Sequence, residues 1–373
     1  MLTLEYKLDG SNDQYRRIDD AIRTVQFVRN KCLRKWEDER GTSANDLQIY
    51  SSELAHTFPF TAKLNAQARQ ASADRAWFAI KRFYANCAAK KLGKKGYPRF
   101  QHNNRSVEYK VTGWKLGPDG RHITFTDGHG IGRLRLVGTR SIEAFPVEQI
   151  KRVRLIRRAV GYFIQFCVHA ERHLAHQPTG KVLGIDVGLY AYYTDSDGAV
   201  VPNPRYLRKR EKRLKHLHRR VSRKQKGSRN RTKARQRLAK AYLKVRWQRE
   251  DFARKQANAL VSSHDLIAYE DLHVRNMVRN HHLAQSISDA AWARFLWWVS
   301  YYGRLYGITV RAVPPQYTSQ NCSGCGQRVR KSLSMRTHVC PSCGLVMDRD
   351  QNAARNILAE ALSTAGQAGT GSA

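Results

Sequence analysis

Leu2, Leu4, Tyr6 and Leu8 alternate with polar residues at the start of the chain, and that period of two predicts a strand. From about Gln14 to Asn86 the spacing turns helical. Ile18, Ile22, Val25 and Val28 recur at one-turn intervals, as do Ala76, Ile80 and Phe83 further on. Gly93-Lys94-Lys95-Gly96-Tyr97-Pro98 breaks the run. Between about 105 and 170 the apolar stretches are short: Ile123-Thr124-Phe125, Leu134 to Val137, and Gly161 to Val168. Short strands with Gly-rich turns predict a small β-barrel or sandwich. If the first strand joins that sheet, the helical stretch is an insertion into a β domain.

A second unit opens near Thr179-Gly180. Val182 to Ile185 is an apolar strand ended by Asp186, and Ala191 to Thr194 suits its hairpin partner. Residues 205–249 read as two helices joined at Gly227-Ser228, with apolar stripes of Leu207, Leu214, Leu217 and Val221 on the first and Leu238, Tyr242 and Val245 on the second. Residues 365–373 are small and polar, and are expected to be disordered.

Charge changes this picture. The chain has 373 residues, room for two or three domains, and its 41% hydrophobic content is enough to fold. Its 67 Lys and Arg against 30 Asp and Glu leave a net charge of +37. An excess of that size excludes most small-metabolite enzymes and points to a polyanion, because each neutralised phosphate releases condensed counterions. Residues 205–249 alone hold 21 Lys and Arg and one acid, Glu211. A solvated helix face mixes signs; this one does not. An anionic membrane is the competing polyanion, but no apolar run approaches the ~20 residues of a spanning helix. The first residues also lack a signal-peptide layout, so a cytoplasmic protein with no membrane partner is expected.

Four of the seven cysteines fall in paired knuckles, Cys322-x-x-Cys325 and Cys340-x-x-Cys343, with fourteen residues between. Four thiolates at that spacing close a tetrahedral site around one structural Zn²⁺. Three carboxylates stand where the local pattern does not favour charge: Asp186 and Glu270 at the ends of apolar strands, and Asp350 ahead of the helix-like Asn352 to Leu358. Taken alone, Asp350 suits a helix N-cap and Glu270 a strand end. Converging through the fold, the three would hold two Mg²⁺ ions ~4 Å apart for phosphodiester hydrolysis.

Gly184-Ile185-Asp186-Val187-Gly188, Glu270-Asp271-Leu272, Tyr317-Thr318-Ser319-Gln320-x-Cys322-x-x-Cys325-Gly326, Cys340-x-x-Cys343-Gly344 and Asp348-Arg349-Asp350-x-Asn352-Ala353-Ala354 together resemble the transposon-encoded TnpB proteins, compact relatives of CRISPR type V effectors. The match is dense from about 180 to 362. Further upstream it rests mainly on Gly96-Tyr97-Pro98-Arg99-Phe100.

The resemblance implies a multidomain α+β fold. Residues 1–10 and 96–178 would form an oligonucleotide-binding wedge barrel interrupted by a helical recognition insert at 11–95. An RNase H-like, RuvC-type α/β nuclease domain would follow at 179–314 and 345–364, split by a zinc ribbon at 315–344.

The activity implied is RNA-guided cleavage of double-stranded DNA beside a short transposon-adjacent motif. Asp186, Glu270 and Asp350 would be its catalytic Mg²⁺ ligands. The partner implied is a guide RNA from the transposon end, with no obligate protein partner. On that reading Arg219, Arg220, Arg223 and Lys224 contact the RNA or heteroduplex backbone, since phosphate contacts carry affinity without sequence information. Gln67 and Gln70, on a helix from about 63 to 84, are candidate readers of base edges in the adjacent motif. The residues alone leave two rivals open. One is a DNA-strand transferase or transposase on the same fold; the other is a non-catalytic zinc-ribbon DNA-binding regulator.

Overall fold

The computed structural model describes residues 2–139, 141–332 and 334–368, and the chain divides into two compact units, Met1–Glu171 and Arg172–Ala373. The first unit is built on β1 (Leu2–Asp9). Leu4, Tyr6 and Leu8 point into the core while the residues between them face outward. Four helices follow: α1 (Asn12–Asp38), α2 (Ala44–Thr57), the short α3 (Pro59–Ala62) and α4 (Ala66–Ala88). Ser11 starts α1 through a reciprocal cap. Its hydroxyl accepts from the Gln14 amide at 3.2 Å, and the Gln14 side chain accepts from the Ser11 amide at 2.9 Å.

Then come β2 (Ser106–Tyr109), β3 (Trp114–Leu116), β4 (His122–Phe125), β5 (Gly132–Val137), β6 (Ile150–Arg158) and β7 (Gly161–Val168). The seven strands form one antiparallel sheet in the order β2-β6-β7-β1-β5-β4-β3. The first strand therefore lies inside the sheet, and the helices are inserted between strands of that sheet. Glu108 ties insert to sheet. Nearly buried on β2, it takes Arg154 at 2.6 Å, Arg152 at 3.2 Å and Arg75 of α4 at 3.4 Å. Burial pushes its carboxyl up. The Arg154 hydrogen bond and the surrounding guanidinium charges outweigh that and hold it below its ordinary value.

The second unit begins with β8 (Val182–Val187), β9 (Ala191–Asp195) and β10 (Val200–Pro202). The basic helices are α5 (Tyr206–Ser222) and α6 (Arg229–Ser262), turned at Gly227 with a φ of +86°. Leu214 and Val245 are buried along them. Tyr242, expected on the apolar stripe, is instead exposed, with its hydroxyl 2.7 Å from His218. The chain continues through β11 (Leu266–Glu270), α7 (Val274–Met277), α8 (His281–Ala290), α9 (Trp292–Tyr306) and β12 (Thr309–Val313). The small hairpin β13 (Thr337–Val339) and β14 (Val346–Asp348) follows, then α10 (Arg349–Ala368). The helix runs through 365–368, which the composition had assigned to a tail; 369–373 lie outside the described residues.

The five-stranded sheet has the order β10-β9-β8-β11-β12, with β8, β11 and β12 parallel. Side chains alternate across it. Leu183, Ile185 and Ile267 pack with Ala253, Ala257 and Val261 of α6 and Phe295 and Val299 of α9. Ala268 of β11 and Val313 of β12 pack with Ile357 and Ala361 of α10 on the other face. Gly184 shares that second face and lets α10 come very close: a Cβ added there would sit 2.1 Å from the Ala354 carbonyl oxygen and 2.9 Å from Leu358 Cβ.

Backbone cannot yield as a side-chain tip can, so Gly184→Ala must push α10 off the sheet. The expected loss is about 1–3 kcal/mol, as for other overpacked sites. Denaturant unfolding checks it; an unchanged midpoint would mean that the helix does not sit this close.

Candidate active site and metal centre

Residues two apart on a strand share a face, so Asp186 lies beyond Gly184, and Glu270 beyond Ala268, on the face that carries α10. The parallel register pairs Ile185 with Tyr269, which makes Asp186 and Glu270 neighbours at the ends of adjacent strands. Asp350 is the second residue of α10, held beside them by the close contact at Gly184. Three carboxylates from segments distant in sequence are thus brought together.

The electrostatics follow from that crowding. Enclosure pushes the Asp186 carboxyl well above its ordinary range, and the charges of Glu270, Asp350 and Asp348 push it further. Enclosure also raises Glu270, although a hydrogen bond from the Thr318 hydroxyl to its Oε1 pulls the other way. Asp350 is compensated by cations: Arg349 lies 2.9 Å from one oxygen and Arg336 3.4 Å from the other. Arg336 also lies over the ring of Tyr190 at 4.8 Å.

The capping role that the composition allowed for Asp350 belongs to Asp348. Its Oδ1 accepts from the amides of Asp350 at 2.8 Å and Gln351 at 3.1 Å. The Asp350 side chain is free of that duty: its oxygens meet Arg349 and Arg336, and its charge acts on Asp186. Three hard carboxylate oxygen donors gathered at one place suit a divalent cation of the Mg²⁺ kind.

The cysteines form a second cluster, with all four sulfurs within 4.8 Å of one another. Cys322 Sγ lies 3.5 Å from Cys343 Sγ, and Cys325 Sγ lies 3.6 Å from Cys340 Sγ. A tetrahedron with Zn–S bonds of ~2.3 Å has edges of ~3.8 Å, so the set fits a structural zinc. The two knuckles repeat one geometry. Gly326 donates to the Cys322 carbonyl at 2.8 Å and Gly344 to the Cys340 carbonyl at 3.0 Å, each glycine at a φ near the left-handed region, +78° and +75°. The thiols share one set of hydrogen bonds unevenly: bonding led by the Cys343 backbone lowers Cys340 to about 6, while the neighbouring Cys322 and Cys325 raise Cys343 to about 12.

Two asparagines, one buried and one half-buried, join the ribbon to α10. Asn352, fully buried, donates to the Asn321 carbonyl at 2.7 Å and accepts from the Ser323 amide at 2.9 Å. Asn356 donates to the carbonyls of Thr318 at 2.7 Å and Asn321 at 2.8 Å. Thr318 and Asn352 lie within the sequence motifs, but nothing local to them signals these contacts. Arg336 carried no signal, because its contacts with Asp350 and Tyr190 are non-local.

Arg219, Arg220, Arg223 and Lys224 are all exposed near the α5–α6 turn. Arg220 also lines a cavity of about 390 Å³ between the two helices, together with Arg210, Arg213, Arg237, Lys240 and Lys244 over a floor of Leu214, Leu217 and Ala241. In the first unit, Gln67 uses its amide oxygen to accept from the backbone of Val111 at 2.9 Å and Thr112 at 3.0 Å. Pairing with adenine through both ends of that amide would require these bonds to open. Gln70, one turn on, is half-buried on α4.

Comparison with known proteins places these features in context. Residues 165–281 match the family model OrfB_IS605, a probable transposase, and residues 292–357 match the Cas12f1-like TNB domain. A protein of Streptomyces pristinaespiralis described as a "Putative RNA-guided DNA endonuclease" is 40% identical over 190 residues, 50% of this chain and 46% of the relative. InsQ of Escherichia coli K12, described in the same words, is 28% identical over 297 residues, 75% of this chain and 71% of its own. The chain thus spans about half the length of the first of these relatives.

Among solved structures, the Cas12f1-sgRNA-target DNA complex superposes with a TM-score of 0.55 at 14% identity, covering 92% of this chain and 82% of that one. The mini-RNA-guided endonuclease CRISPR-Cas_phi3 does so with a TM-score of 0.58 at 10% identity, covering 96% and 92%. The fold is a multidomain α+β arrangement of this type. No helix among the described residues is long and apolar enough to cross a membrane.

Two expectations follow. Metal analysis should find one zinc per chain, and Cys340→Ser should lose it and melt at lower temperature, because metal binding is coupled to folding. The second concerns pH. A carboxyl whose folded-state pKa lies above its unfolded value, ~3.9 for Asp, binds its proton more tightly when folded, so it weakens the fold increasingly as pH rises above that value. Asp186→Asn should therefore raise the melting temperature of the metal-free protein at pH 8, and raise it less near pH 5. A pH-independent difference in melting would rule this out.

Proposed function

Because this chain is a relative of the transposon-encoded TnpB proteins, we propose that it is an RNA-guided, Mg²⁺-dependent endonuclease that cuts double-stranded DNA beside a short transposon-adjacent motif. The observation that carries the proposal is the convergence of Asp186, Glu270 and Asp350 at one end of a mixed sheet, with α10 packed against its parallel strands. On this reading the second unit is an RNase H-like, RuvC-type nuclease domain split by its zinc ribbon. The seven-stranded sheet of the first unit is the wedge barrel, and α1 to α4 form the recognition insert.

Asp186, Glu270 and Asp350 would hold the metal ions that act on the scissile phosphodiester of a single-stranded DNA segment. Two Mg²⁺ ions bound there would supply an activated water and neutralise charge developing on the phosphate. The protein's part is to fix the three oxygens. Arg336 and Arg349, now paired with Asp350, must yield part of that pairing as the site loads.

Guide RNA and its heteroduplex are proposed to lie along α5 and α6, with Arg219, Arg220, Arg223 and Lys224 on phosphates. Pairing of guide and target reads the sequence, and the protein reads the short duplex motif. Gln67 and Gln70 remain the candidate motif readers, with Gln67 offering its free amide nitrogen. The guide is proposed to come from the transposon end.

RNA that co-purifies with the protein, once sequenced, defines the guide. A plasmid carrying the matching target should be cut with Mg²⁺ and left intact with EDTA. Asp186→Ala, Glu270→Ala and Asp350→Ala should each abolish cutting while guided binding persists. Asp348→Ala should instead cost about 1 kcal/mol of stability, the usual worth of a lost cap, and keep activity. If all three acid variants cut, the assignment of the site fails; joined rather than hydrolysed ends would mark a strand transferase.

A further inference from the structure

We infer that Thr318 is a positioning residue for Glu270, so that the base of the zinc ribbon is a working part of the divalent-metal centre. The inference rests on the reading of Glu270 as an Mg²⁺ ligand. Thr318 follows β12 and precedes the first cysteine knuckle, and it is 9% exposed. Its hydroxyl donates to Glu270 Oε1. A glutamate has three rotatable side-chain bonds, and an unrestrained one must be immobilised when a cation arrives. Holding one carboxylate oxygen settles where the other points before the cation binds. This is how partners behind the ligands tune metal affinity elsewhere.

Thr318 can do this only if it is itself fixed, and its backbone is. The Thr318 carbonyl accepts from Asn356 at 2.7 Å, and Asn321, three residues on, accepts from both Asn352 and Asn356. The Ser323 amide, next to the zinc ligand Cys322, donates to Asn352 at 2.9 Å. Asn352 and Asn356 stand one helical turn apart on α10, two and six residues beyond Asp350. A buried amide without partners is costly, and the hydrogen bonds of Asn352 engage both ends of its amide. The hydrogen bonds therefore run from the cysteine knuckle through α10 to Thr318 and on to Glu270. Two of the three acids are referenced to one asparagine pair.

The experiment measures Mn²⁺ binding to the full chain by calorimetry and electron paramagnetic resonance, alongside zinc content and melting temperature. Thr318→Val keeps the shape and removes the hydroxyl; Thr318→Ser keeps the hydroxyl. Thr318→Val should weaken Mn²⁺ binding by ~10-fold with zinc content and melting unchanged, and Thr318→Ser should restore most of it. Equal affinity in Thr318→Val and the parent overturns the inference. So does an equal loss in both variants accompanied by lower melting, which would make Thr318 a packing residue. Glu270→Gln separates the two claims. If it weakens Mn²⁺ binding while Thr318→Val does not, only the positioning role falls; if it leaves binding unchanged, Glu270 is no ligand and both fall.

Discussion

The approach of α10 to β8 is the constraint on which the second unit depends. A helix normally stands off a sheet by the depth of its side chains. Here Gly184 on the strand removes that depth where it faces Ala354 and Leu358, and the small Ala361 lies on the same face of the helix one to two turns on, against Ala268 and Val313. The result is a helix whose first turn lies level with the ends of β8 and β11. That brings an acid 164 residues beyond Asp186 in sequence into its electrostatic environment. The asparagines of the same helix anchor the ribbon, so the contact orders two structures at once.

Both charged regions of this unit are arranged against the interest of the isolated fold. Carboxylates crowd where burial raises their pKa, and six cations line the α5–α6 cavity. No ion pair joins any of those six to an acid among the described residues, whereas Glu211 and Lys215 nearby do pair at 2.7 Å. Local rules are broken in this way where a site awaits a partner of opposite charge. A cation suits the first region and a polyanion the second.

Much of this was legible because the signals were local. An alternating pattern announced β1, a carboxylate ending an apolar run announced Asp186, and Cys-x-x-Cys-Gly announced a knuckle whose glycine is needed for its positive φ. What escaped depended on neighbours far along the chain. Whether Asp348 or Asp350 caps α10 turns on the residue at which the helix begins, which composition cannot resolve. Tyr242 has the spacing of a core residue, yet its ring leans out to reach His218 on the other helix. Thr318 reads as a loop threonine until β11 and β12 are paired and Glu270 comes within reach. The resemblance to TnpB proteins came from motif order, and it held in the comparisons; the parts played by Thr318, Asn356 and Arg336 did not follow from it.

The helical insert has two cores. The sheet-proximal part, Ile18 to Val25 of α1 with Leu64 and Ala68, packs into the core beneath β1 and its neighbours. The distal part gathers Val28, Leu33, Leu47, Leu54 and Ile80 into a cluster of its own. Drift in the distal cluster can reshape the outer end of α1, α2 and α4, and it meets the sheet where Arg75 of α4 pairs with Glu108 of β2. A lineage could therefore diversify that end rapidly, by exchange or resizing, while the half that grips the sheet stays still.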